Sequence, residues 1–137
     1  MKWRLLDTGR NCGAYNMAVD TAVMLAHSRG MSPPTLRFYG WEPKALTLGY
    51  FQDPGDIVDF GACRRLGVDV VRRPTGGRAV LHDNEVTYSI VARDDNPAVR
   101  GSIMESHLRL SWALVAGLAH LGAAERPRLR HSSPLRT

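Results

Sequence analysis

Residues 68–81 read VDVVRRPTGGRAVL, an apolar β-branched run that is interrupted by Pro-Thr-Gly-Gly and then resumes. Such a pattern predicts one strand over 68–73, a sharp bend, and a second short strand over 78–81. Pro74 biases Arg73 toward extended backbone, and Gly76-Gly77 admits positive φ and close approach, so the amides of the bend can point at a ligand oxygen. Arg72, Arg73 and Arg78 flank the glycines and can supply charge to a phosphate or a carboxylate. Two readings stand level on spacing alone: a loop built around an oxygen-rich guest, or a glycine turn whose arginines are solvated. Neither a Walker pattern nor a dinucleotide fingerprint is present.

The rest of the chain reads as alternating strands and helices. Trp3 to Leu6 predicts a strand, and 13–28 predicts an amphipathic helix on which Asn16 and Asp20, four apart, share a face. TLRFYGW (35–41) and ALTLGYF (45–51) predict two strands joined tightly through Glu42-Pro43-Lys44. A short helix is expected within 56–67, stopped by Gly67, and a strand over 86–92 beyond His82-Asp83-Asn84-Glu85. In that strand Thr87, Ser89 and Val91 alternate with Val86, Tyr88 and Ile90, so a polar pair faces either a pocket or an exposed edge. Residues 102–121 form the longest helical pattern, with Ser102 and Glu105 ordered as a capping box, Gly122 as terminator, and two apolar stripes expected to be buried. Strands and helices thus alternate along the chain, an α/β (α+β) pattern.

Charge bears on partners. The net charge is +5, but residues 1–125 carry 14 basic against 13 acidic side chains, so the excess comes from Arg126, Arg128, Arg130 and Arg136. Four tail arginines without interleaved aromatics are a poor nucleic-acid signature, and no nucleic-acid partner is expected. With 137 residues, 44% of them hydrophobic, the chain has the length of one ordinary domain. No run of eighteen apolar residues and no secretory leader is present, so a cytoplasmic protein without membrane association is expected. Cys12 and Cys63 match neither a disulfide framework nor a metal-ligand spacing, and no metal site is predicted. Cys12 precedes a helix, where a thiolate is favoured, yet it reads as an incidental small residue, and Cys63 as part of a helix's apolar side.

RRPTGGRAVLHD (72–83) followed by NEVTYS, with NMAVD at 16–20, RFYGW at 37–41 and LGYFQ at 48–52 in the same order, resembles the lipoate and biotin protein ligase superfamily. The likeness is greatest to its octanoyltransferase branch and covers about residues 3–122. It implies an α/β (α+β) fold with a mixed sheet and flanking helices, like that of class II aminoacyl-tRNA synthetases, a tunnel for a medium-length acyl chain, and an acyl or acyl-adenylate site lined by Arg72, Arg73, Thr75, Gly76, Gly77, Arg78, Ala79, Val80 and His82. Asp83 would shape the turn behind it. His82 is taken as a binding residue, and Tyr39, Trp41 and Tyr50 as core or channel wall. Asn16 and Asp20 are expected to tie the first helix to the sheet.

By the resemblance, octanoyl–acyl carrier protein is the donor and GcvH, the glycine-cleavage H protein, or another lipoyl domain is the acceptor. No cofactor is required for transfer, whereas ATP and Mg would serve only an ATP-dependent ligase. That branch uses a cysteine nucleophile and a nearby lysine C-terminal to the matched region. Here the last cysteine is Cys63 and the last lysine Lys44, so no catalytic residue is assigned. The expectation is a chain cut short within a catalytic domain (1–124), ending in a flexible basic tail (125–137), with a complementary C-terminal chain as a partner that would complete it.

Overall fold

The computed structural model describes residues 2–55 and 57–123, so the expected flexible tail lies outside the described residues. The chain divides into two compact units, one ending at Arg93 and the other starting at Asp94.

In the first unit, β1 (Arg4–Asn11), α1 (Gly13–Ser28) and β2 (Thr35–Trp41) form a strand–helix–strand unit with β1 and β2 parallel. A second such unit follows: β3 (Ala45–Leu48), α2 (Phe60–Leu66) and β4 (Asp69–Arg72), again with parallel strands. β5 (Val80–His82) adds antiparallel to β3, and β6 (Thr87–Val91) antiparallel to β2. Two mixed three-stranded sheets result, in the orders β1-β2-β6 and β4-β3-β5. β2 and β3 are tightly connected, as expected, but they do not pair: their junction carries the chain from one sheet to the other.

α1 touches β2 and β6 of one sheet and β3 and β4 of the other, and this contact forms the core. Met17 packs with Tyr39, Trp41 and Ala45, and Val71 leans on the group. Helix and strand approach closely at Gly13, where an added Cβ would lie 2.9 Å from Val71 Cγ1. Cys12 makes no side-chain cap at the start of α1; Asp69 Oδ2 instead accepts from the Gly13 amide at 2.9 Å, a cap supplied from β4.

Three boundaries differ from expectation. β1 runs on to Asn11 through an irregularity at Gly9, where φ is +65°, because its partner β2 continues opposite it. β3 ends at Leu48, since the Gly49 amide turns aside to Gln52 Oε1 at 2.9 Å. α2 begins only at Phe60, where Asp59 accepts from the Ala62 amide at 2.8 Å; Gly67 ends it with φ +63°.

The second unit holds α3 (Ile103–His120), whose capping box forms as read: Ser102 and Glu105 satisfy each other's amides, and Gly122 follows with φ +83°. The two apolar stripes are not buried. No residue of α3 is buried, and Ile103 and Trp112 are 92% and 70% exposed. The physical reason is local: among the described residues of this unit there is no second helix or strand to cover an apolar face.

Candidate functional site

The bend after β4 is held by its carbonyls. Arg73 Nη2 donates to Gly76 O and Arg78 O at 2.8 and 2.7 Å, and the Tyr50 amide donates to Thr75 O at 2.9 Å. With three carbonyls engaged toward the protein, the amides of Thr75, Gly76, Gly77 and Arg78 are left without a donor contact among the described residues. Consecutive unpartnered amides on a Gly-rich bend form a concavity suited to an oxygen ligand. Gly77 requires glycine, having φ +96°, whereas Gly76 lies outside that region.

The expected charges are mostly committed elsewhere. Arg72 Nη1 lies 2.8 Å from the carbonyl oxygens of Gly49, Tyr50 and Gln52, clamping the turn after β3. Arg73 Nη1 reaches Thr47 O and Oγ1 at 3.2 and 3.0 Å. Only Arg78 among the three keeps its guanidinium free of partners within the described residues.

Beside the bend lies a cavity of about 480 Å³, lined by Met17, Met24, Ile90 and Val91, with Asp20, Tyr39 and Ser89 as its polar wall. That volume falls within the roughly 300–1,000 Å³ typical of small-molecule sites. The polar wall is internally satisfied. Asp20 Oδ1 accepts from Arg37 Nη1 at 2.8 Å and from Ser89 Oγ at 2.7 Å, and Oδ2 accepts from the Tyr39 hydroxyl at 2.9 Å. Burial, reinforced by the Asp20 carboxylate, pushes the Tyr39 phenol far above its ordinary range, so it stays a donor. Arg37, 1% exposed, also binds Asn16 O and Oδ1 at 2.9 and 2.8 Å. Asn16 and Asp20 therefore do tie α1 to the sheet, and Asp20 lines the cavity as well. The inward turn of Thr87 and Ser89 settles the alternation of β6 in favour of the pocket.

His82 stacks on Trp41 with ring centroids 4.3 Å apart at 20°. Its Nε2 lies 2.9 Å from Thr47 Oγ1, and its Nδ1 lies 2.7 Å from Glu85 Oε1. Burial works against the Glu85 charge, but hydrogen bonds from His82 and Thr87 outweigh it and hold the carboxyl below the ordinary glutamate range.

Of the residues expected at the site, Arg73, Thr75 and His82 line the cavity. Gly76, Gly77, Arg78, Ala79 and Val80 continue the bend without lining it, and Val80 is 43% exposed. Arg72 stands outside because its guanidinium is spent on carbonyls. Asp83 pairs with Lys44 at 2.9 Å. Trp41 and Tyr39 are core, as read, but Tyr50 is not: it is 56% exposed, edge-on to Phe51. Cys12 is exposed and Cys63 half-buried, and neither lines the cavity. Among the described residues no three His, Cys, Asp or Glu side chains group as a metal site.

Gly49 was not foreseen. A Cβ there would lie 2.0 Å from Gly77 O, so the turn and the bend interlock. Its signal was a glycine directly after an alternating run, a mark of close backbone approach. Thr47, likewise missed, gave only the alternation of ALTLG.

The Lipoyl protein ligase A/B catalytic domain family matches residues 12–131. The octanoyltransferase LipM of Kyrpidia tusciae is 59% identical over 120 residues, and that of Moorella thermoacetica 56% over 121; each alignment covers 88% of this chain and 44% of the relative. The chain thus spans less than half the length of these relatives. Among solved structures, a lipoate protein ligase from Thermoplasma acidophilum with bound lipoic acid superposes with a TM-score of 0.75 at 31% identity, over 98% of this chain and 55% of that one. A lipoate-protein ligase A bound with ATP gives 0.72 at 31%, over 96% and 52%. A bi-partite lipoate protein ligase of the same archaeon, studied with its E2 lipoyl domain, gives 0.68 at 31%, over 94% and 49%.

Proposed function

Because this chain belongs to the family of lipoyl protein ligase A/B catalytic domains, we propose that it forms the acyl-binding part of an octanoyltransferase of protein lipoylation. In this reading an octanoyl thioester of acyl carrier protein is the donor and a lysine of GcvH, or of another lipoyl domain, is the acceptor. The work is done in the cytoplasm; no described helix is long and apolar enough to cross a membrane.

The observation that carries the proposal is the free-amide bend beside a cavity walled by Met17, Met24, Ile90 and Val91. Amide donors suit the acyl carbonyl oxygen, above all as it gains charge during transfer. An alkyl chain entering the cavity gains roughly 0.8 kcal/mol per methylene removed from water. The cysteine and lysine used by this branch come, in this proposal, from sequence other than these 137 residues, in a longer or a complementary chain. Transfer from a thioester needs no nucleotide or metal.

The second reading is an ATP-dependent lipoate ligase, supported by the likeness to the ATP-bound ligase. Commitment of Arg72 and Arg73 to carbonyls favours the transferase, since neither guanidinium is available to a nucleotide phosphate. Titration calorimetry with octanoate tests the site: binding by the wild type and its loss in Val91→Trp, on the inward face of β6, are expected, and no binding of octanoate or lipoate by the folded wild type overturns it. Labelled lipoate with ATP and Mg separates the readings, adenylate formation marking the ligase.

A further inference from the structure

Six side chains between β2 and the bend form one hydrogen-bonded chain, and its two ends can only donate. Trp41 Nε1 lies 2.7 Å from Thr87 Oγ1, and Arg73 Nη1 lies 3.0 Å from Thr47 Oγ1. Thr87, having accepted, gives its own hydrogen to Glu85 Oε1 at 2.7 Å. On the other arm Thr47 Oγ1 is 2.9 Å from His82 Nε2, and His82 Nδ1 is 2.7 Å from the same Glu85 Oε1. A carboxylate only accepts, so neutral His82 carries its proton on Nδ1 and leaves Nε2 bare for the Thr47 hydroxyl. The opposite tautomer would aim a second donor at Thr47 Oγ1 and leave the hydrogen of this buried hydroxyl without an acceptor, since Thr47 Oγ1 has no third partner among the described residues. Both arms therefore end on Glu85. Hydrogen bonds in such a series polarise one another, so the far end feels the near one.

The far end is the bend. Arg73, held at Nη1 by Thr47, spends Nη2 on Gly76 O and Arg78 O at 2.8 and 2.7 Å, the carbonyls whose engagement leaves the neighbouring amides open. Arg73, Thr47 and His82 line the cavity, but Glu85 does not. We propose that Glu85 and His82 are positioning residues for acyl recognition: through Thr47 they fix Arg73, and through Arg73 the amides that receive the acyl carbonyl oxygen. Thr47, 1% exposed and with its hydroxyl fully committed, serves only as the link. What the relay needs from Glu85 is an acceptor oxygen and not a charge. The inference rests on the proposed acyl site and adds that carbonyl recognition, as distinct from burial of the alkyl chain, depends on a residue outside the cavity.

The test is calorimetry on the whole chain with two ligands, S-octanoyl-N-acetylcysteamine and S-octyl-N-acetylcysteamine, the same molecule without the carbonyl. The wild type is expected to prefer the thioester. Thr47→Val, which keeps the side-chain shape, and Glu85→Met, which keeps its length, each lower thioester affinity on the order of 10-fold and leave thioether affinity unchanged. Thr47→Ser and Glu85→Gln, which restore the hydroxyl and the acceptor, recover most of it. Nitrogen-15 spectra of neutral His82 show the proton on Nδ1 in the wild type and in Glu85→Gln, and on Nε2 as well in Glu85→Met. Should Thr47→Val fail to fold, Glu85→Met decides, its site being 39% exposed. Equal loss of both ligands, an undiminished thioester preference in Glu85→Met, no such preference in the wild type, or a wild-type proton on Nε2 overturns the proposal. The two ligands also keep the failures apart: binding of both without dependence on Glu85 sinks this inference alone, and binding of neither by the folded wild type sinks the acyl site as well.

Discussion

Asp20 and Arg37 form an ion pair of 2.8 Å in which the arginine side chain is 1% exposed and the aspartate 11%. The pair joins α1 to β2, and Tyr39, Ser89 and Asn16 saturate what it leaves open. Removing one partner strands the other charge in the interior. Asp20→Ala is therefore expected to lose about 3–5 kcal/mol in urea unfolding, more than the roughly 1 kcal/mol of an average substitution.

The interlock of Gly49 with Gly77 gives a three-way comparison. Gly49→Ala drives a Cβ to 2.0 Å from Gly77 O, and Gly77→Ala strains a backbone at φ +96°, whereas an added Cβ at Gly76 meets nothing within 4 Å. The first two are expected to cost about 1–3 kcal/mol each and to weaken octanoate binding. Gly76→Ala leaves melting temperature and affinity near wild type. Differential scanning fluorimetry and calorimetry check all three.

Arg72 is expected to act through the turn and not through charge. Arg72→Met removes the donor nitrogen that three carbonyls share, so stability falls by about 1–3 kcal/mol in chemical unfolding, whereas Arg72→Lys, whose ammonium carries three donors, recovers part of the loss. Arg78→Gln, whose side chain has no partner among the described residues to lose, leaves stability unchanged.

Acid is expected to loosen the His82 side of the cavity. Glu85 has a folded-state pKa below the unfolded one, so its contribution is present above the ordinary glutamate range and is lost as pH falls through the folded value. Urea midpoints measured from neutral pH downward therefore decline more steeply below that range in the wild type than in Glu85→Gln. The carboxylate is 39% exposed, and salt weakens the effect.

Elements governed by local chemistry were legible in the sequence. Ser102 and Glu105 announced a helix start because both halves of the cap lie within one turn, and Gly67 marked a helix end for the same kind of reason. Thr87 and Ser89 were recognisable as one face of a strand, though only the fold shows that Asp20 and Trp41 await them. Pairing was not legible: nothing near Thr35 says that Val91 lies opposite, or that β2 and β3 enter different sheets. Likewise three arginines beside a diglycine look alike in sequence. Which of them remains uncommitted depends on how the bend folds back over Arg73, and for Arg72 on carbonyls 20 to 23 residues away, such as Gly49 O.

Arg73 shapes the bend before any guest arrives, which has a kinetic consequence. A loop that must first be ordered slows encounter and subtracts its lost freedom from affinity; one already moulded does neither. For the proposed acyl guest, capture is expected to be set by collision at the entrance, with selectivity among chain lengths residing in how long each remains.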